Sequence, residues 1–179
     1  MTHFVSEKEL DDFSGSIKQT VCPFCNMVGK LIFHGYLRGY SECSSCEVIR
    51  GRRVFCNNRK KSKGCGRTFS LLLLRFIRGC IIGSGTVTGV IRRLLDGETP
   101  AQIARDVLPD FSGGYIYRFI SRLKLRQSFL RGMLLKLCPP CDCDEKDPLF
   151  QTMLHLVKAF SCSCNPVSDF QSCFQASFF

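Results

Sequence analysis

Four cysteines among the first 65 residues constrain this chain more than any other feature. Cys22-Pro-Phe-Cys25 is a two-residue-spaced pair, and Cys56 and Cys65 follow with eight residues between them. Thiolates at the first spacing can both point at one ion while the following amides turn toward the sulfurs. A tetrahedral ion then needs two more ligands. Cys43-Ser-Ser-Cys46 competes for that role, because it follows Cys25 after seventeen residues and fits the simple CxxC…CxxC spacing. Cys56 and Cys65 have the better context. Cys56 ends VIRGRRVFC, a strand-like run, and Cys65 opens Cys65-Gly66-Arg67-Thr68-Phe69, where a glycine lets the backbone fold under a metal and Phe69 can cover it. The ligand set read here is Cys22, Cys25, Cys56 and Cys65, with the Cys43/Cys46 pair as its alternative.

Between the pairs, LIFHGYLRGY and VIRGRRVF carry the β-branched and aromatic content of a hairpin. Knuckle, hairpin, knuckle and strand make a zinc ribbon, a fold with too little core to hold without its ion. The chain has thirteen cysteines, an odd number, so metal ligands and buried thiols fit it better than a disulfide framework. The most apolar stretch, Phe69 to Ile82, is interrupted by Arg75 and Arg78 and is shorter than the roughly 20 residues of a membrane span. The opening MTHFVSEKELDDF is acidic where a signal peptide is basic. The expectation is a cytoplasmic protein with no membrane partner.

Charge narrows the partner. The net charge of +10 is concentrated in the middle of the chain. Residues 50–136 carry nineteen basic and four acidic side chains, +15, while the segments before and after stand at −2 and −3. A field confined to one segment points to a polyanion, nucleic acid first. Arg59, Lys60, Lys61 and Lys63 fall between Cys56 and Cys65, and Arg50, Arg52, Arg53 and Arg67 flank them. A loop pinned at both ends by metal ligands would hold such cations where phosphate contacts need them. The competing description is a solvated basic loop.

Helical signals follow from Leu71. Val87, Val90, Ile91, Leu94 and Leu95 recur at helical spacing before Gly97. Thr99, Pro100 and Gln102 then form a capping box with proline at the first helical position. Pro109 closes that helix, and residues 110–114 make a turn. The next helix starts near Tyr115, with Ile116, Phe119, Ile120 and Leu123 as one apolar stripe. Its other face shows Tyr115, Tyr117, Arg118, Ser121, Arg122 and Lys124. A short capped helix, a glycine turn and a basic helix give a helix-turn-helix pattern aimed at double-stranded DNA. An ordinary three-helix bundle with a basic outer face is the plainer description.

CPFC at 22–25, GRRVFCNNRKKSKGCGRTFS at 51–70 and GETPAQIARDVLPDFSGGYIYRFISRLK at 97–124 resemble bacterial transposase-type proteins, which begin with a zinc ribbon and a homeodomain-like helix-turn-helix. The resemblance covers about residues 20–135. It implies zinc on Cys22, Cys25, Cys56 and Cys65, DNA recognition by the helix from Tyr115, and a nucleoid-associated location in a bacterial cytoplasm. Cys43 and Cys46 are additional to the pattern, and the second knuckle is longer than usual. Nothing resembles the nuclease domain, whose two-metal chemistry needs converging acids. The chain is read as non-catalytic, with RNA binding and a zinc-stabilised protein-interaction adaptor as the alternatives.

The fold class expected is a small α+β protein: polar lead-in at 1–20, zinc ribbon at 21–70, all-α helix-turn-helix bundle at 71–136, and a Cys- and Phe-rich segment at 137–179. In that last segment Cys138, Cys141, Cys162 and Cys164 offer a second zinc site, against a disordered linker with unpaired thiols. DPLFQTMLHLVKAF reads as one helix, and the phenylalanine tail either packs back on the helices or binds a partner.

Overall fold

The computed structural model describes residues 2–42, 46–59, 61–140, 142 and 146–179. The chain divides into two compact units, Met1–Phe76 and Ile77–Phe179.

The first unit is built on β1 (Thr2–Phe4), α1 (Glu7–Gly15), β2 (Leu31–Tyr40), β3 (Glu47–Cys56) and β4 (Thr68–Leu73). The strands form one sheet in the order β1-β4-β3-β2. β2 and β3 are the antiparallel hairpin that their composition predicts, β3 pairs antiparallel with β4, and β1 pairs parallel with β4.

This corrects the expected fold class, a β-only zinc ribbon followed by an all-α bundle. The molecule is mixed α/β, with a four-stranded sheet and a helix ahead of the hairpin. The reason lies in residues 1–20. Ser6 caps α1 by accepting from the Glu9 amide, and Glu7 and Glu9 sit in the first turn, where the helix dipole favours acids. Leu10 is buried, and Phe13 stacks on Phe4 with ring centroids 5.1 Å apart. The acids that read as a polar lead-in are spent on arginines: Asp11 holds Arg52 at 2.8 Å and Glu7 holds Arg75.

The helical reading from Leu71 is corrected as well, since Leu71–Leu73 end β4. A short apolar run has no period that separates helix from strand. Here β1 and β3 pair on either side of it, and all three leucines are buried.

The second unit contains α2 (Ser84–Leu95), α3 (Pro100–Val107), α4 (Gly114–Leu134), α5 (Pro148–Ala159) and α6 (Pro166–Phe174). The Thr99–Gln102 capping box forms on both sides, with Pro100 at its predicted place. Ile116, Phe119 and Leu123 of α4 are buried, as their spacing predicts. The C-terminal residues are part of this core. Asn165 caps α6, accepts from the Thr88 hydroxyl at 2.8 Å and donates to Ser84 Oγ at 3.1 Å, which ties α6 to α2. Phe178 is buried against Phe170, so the aromatic tail packs back on the helices. No helix among the described residues is long and apolar enough to cross a membrane.

Candidate metal centre

Residues 21–28 make a tight knuckle. The Asn26 amide donates to the Cys22 carbonyl at 2.9 Å, the Cys22 amide donates to the Met27 carbonyl at 3.0 Å, and Val21 and Val28 bridge its base. Asn26 takes the left-handed conformation (φ 57°) that closes the turn. The second knuckle begins as β3 ends. The Cys65 amide donates to Cys56 Sγ at 3.3 Å, and the Gly66 amide donates to the Cys56 carbonyl at 3.0 Å. Gly66 stands at φ 74°, and a Cβ on Gly64 would meet the Asn57 carbonyl oxygen at 2.3 Å. Glycine at both positions is therefore a condition of the turn.

The two knuckles bring four sulfurs together, with Cys22 to Cys65 at 3.8 Å, Cys25 to Cys56 at 3.7 Å and all ligand atoms within 4.8 Å of one another. A tetrahedral ion with Zn–S bonds of about 2.3 Å needs sulfur separations of about 3.8 Å. The cluster can hold a metal ion, and its geometry is compatible with zinc. Donation from the Met27 amide draws the Cys25 thiol down to about 7, while burial pushes Cys56 up to about 12. Burial favours the neutral thiol at Cys56, and a divalent ion among the four sulfurs would reverse that, since a coordinating thiol is deprotonated outright. Phe69 packs against the buried core that includes Cys22 and Cys56 and meets Phe24 edge-on at 6.2 Å.

Of the alternative pair, Cys43 lies outside the described residues and Cys46 is exposed. For the second zinc site, Cys141 also lies outside them, and Cys162 and Cys164 are exposed. Cys138 Sγ is 3.5 Å from His155 Nε2, but that nitrogen also donates to the Cys138 carbonyl at 3.0 Å, which ties α5 to the end of α4. Among the described residues, Cys22, Cys25, Cys56 and Cys65 are the one metal-ligating group of three or more.

The basic residues separate into committed and exposed ones. Arg52 is paired with Asp11 and lies over the Phe33 and Tyr36 rings; Arg50 lies over Phe76 and donates to the Tyr40 carbonyl. Arg53, Arg59, Lys61, Lys63 and Arg67 are exposed, with Arg59 stacked over Phe55 and Arg67 over Phe24; Lys60 lies outside the described residues. On α4, Tyr117, Arg118, Ser121 and Lys124 are exposed, while Tyr115 stacks on Phe111 with centroids 4.6 Å apart. Arg122 turns inward, donating to the Gly79 carbonyl and Cys80 Sγ and lying over the Phe179 ring. These internal engagements have no local signal in the sequence, because the partners lie far along the chain, 43 residues apart for Arg122 and Gly79.

No family model, curated protein or solved structure matches this chain.

Proposed function

We propose that this is a DNA-binding protein in which one zinc ion on Cys22, Cys25, Cys56 and Cys65 stabilises the sheet unit and α3 with α4 forms a helix-turn-helix. The reading is carried by α4. Its 21 residues include five basic side chains and no acidic one, and its first turns expose Tyr117, Arg118, Ser121 and Lys124 behind a short, capped α3. Such a helix is suited to a polyanionic groove. Exposed Arg53, Arg59, Lys61, Lys63 and Arg67 around the second knuckle add sequence-independent phosphate contacts. Kinship with transposase-type proteins, a non-catalytic role and a nucleoid location belong to this proposal and rest on residues 22–25, 51–70 and 97–124.

The test is binding of the full chain to a random duplex pool across a salt series. The expected result is a linear fall of log K with log salt, with a slope of about −0.9 per phosphate contacted. Absence of binding to any duplex at low salt ends the reading. Zinc content of one per chain is expected beside it; two would require a second site.

The adaptor reading has its own supporting observation. Val21, Phe24 and Val28 stand exposed together on the first knuckle. Substituting Val21 and Val28 with serine leaves duplex binding intact if α4 carries the interaction.

A further inference from the structure

α3, the turn after it and the first turn of α4 surround an open cleft of about 770 Å³. The apolar part of its lining comes from Ala101, Ala104, Pro109 and Phe111, and the polar part from Arg105 and Tyr117. No acidic side chain lines it. Ala101 and Arg105 are four residues apart on α3 and so share its outer face, opposite Ile103, which is fully buried.

Arg105 is the one cation of this unit among the residues lining the cleft. Arg93 is held by Glu98 and Asp106, and Arg122 is turned inward onto Gly79, Cys80 and Phe179. Arg105 is exposed and makes no ion pair among the described residues. Tyr117 is 55% exposed across the cleft lining from it. The cleft thus joins a small-residue apolar surface to one unneutralised guanidinium and one phenol hydroxyl. A sugar–phosphate strand presents the complementary pair: a deoxyribose with apolar faces and a phosphate with strong acceptor oxygens. Guanidinium and phosphate also match in fork geometry.

We infer that this cleft seats the DNA backbone, with Arg105 and Tyr117 on phosphate oxygens and Ala101, Ala104 and Phe111 against the sugar. The inference rests on the DNA-binding reading and changes the part played by two residues. Arg105, absent from the residues picked out by sequence, becomes a positioning residue. Tyr117, placed there on the outer face of the helix with Arg118, Ser121 and Lys124, fixes register on the backbone and leaves base edges to those three. Phosphate contacts orient a recognition helix without carrying sequence information.

The experiment uses the full zinc-loaded chain with a labelled random duplex pool and with the duplex it selects. Arg105→Ala is expected to weaken both by a similar factor, about tenfold, and to lower the salt slope by about one phosphate. Tyr117→Phe is expected to weaken both equally at an unchanged melting temperature. Lys158→Ala, which removes an exposed cation on α5, controls for net charge and leaves the slope unchanged. If the wild type binds duplex but Arg105→Ala keeps its affinity and slope, the cleft does not hold the backbone. A loss confined to the selected duplex also overturns the inference, because it makes Arg105 a base reader. Failure of the wild type to bind any duplex is a separate result, which removes the DNA reading itself.

Discussion

Among the described residues, nine buried apolar side chains make one cluster in the sheet unit, and two of them, Cys22 and Cys56, are candidate metal ligands; the corresponding cluster of the helical unit has twenty. The sheet unit therefore has candidate ligands inside its core, so that loss of an ion bound there would open the core as well. The helical unit closes on side chains alone, with Phe170, Phe178, Leu123 and Ile103 among the most completely buried. The proposed zinc would give one chain two means of holding a small fold: an ion where the apolar core is small, and ordinary packing where it is large.

Metal removal separates the two units most. Chelation of the full chain is expected to unfold the sheet unit while α2–α6 stay folded, since structural zinc contributes about 10–16 kcal/mol of apparent binding free energy. Hydrogen exchange reads the two units separately. Sheet amides that stay protected after chelation would mean that nine apolar residues suffice. Cys56→Ser is expected to abolish metal content, whereas Cys46→Ser retains it.

The converse variant lies in the helical unit. Phe178→Ala removes a ring that is 1% exposed and meets Phe170 edge-to-face at 5.6 Å. A loss of about 3–5 kcal/mol is expected on thermal or denaturant melting, with zinc content unchanged. If zinc is released along with it, the two units do not fold independently.

Acid acts on the sheet unit through His3. Burial in β1 lowers the His3 pKa from 6.5 to about 4. A histidine kept neutral by folding stabilises fully above its unfolded pKa, and that contribution is lost as pH falls through 6.5 toward about 4. Allowing for solvent screening, the loss is about 2 kcal/mol. His3→Leu is expected to flatten the pH dependence of sheet-unit stability over this window relative to wild type. Metal release by thiolate protonation is common to both chains, so the difference isolates His3. An identical pH profile would show that His3 is not buried neutral.

The smallest effect is local. Thr99→Ala deletes one side of the α3 capping box and is expected to cost about 1 kcal/mol in the helical unit, with no change in the sheet unit. It also tests whether the entry to α3 is set by the cap or by packing of Ile103.

Several features were legible in the residues because their physics is short-range. The four clustered cysteines are favoured over the Cys43/Cys46 alternative by the first spacing and the glycine beside Cys65. The α3 start is written in Thr99, Pro100 and Gln102, and the buried stripe of α4 in Ile116, Phe119 and Leu123. Each depends on atoms a few residues apart. What folding alone settled depends on partners far along the chain. β1 joins β4 across some seventy residues, which makes Leu71–Leu73 a strand and turns an apparent lead-in into sheet and helix. Asn165 finds Thr88 and Ser84, so the C-terminal segment becomes core. Long-range pairing likewise chose among equivalent arginines. Arg52 and Arg122 were drawn into internal contacts, while Arg105 was left exposed beside a cleft. Local sequence states that a residue is charged; whether the charge is neutralised depends on which acids, carbonyls and rings the fold brings to it.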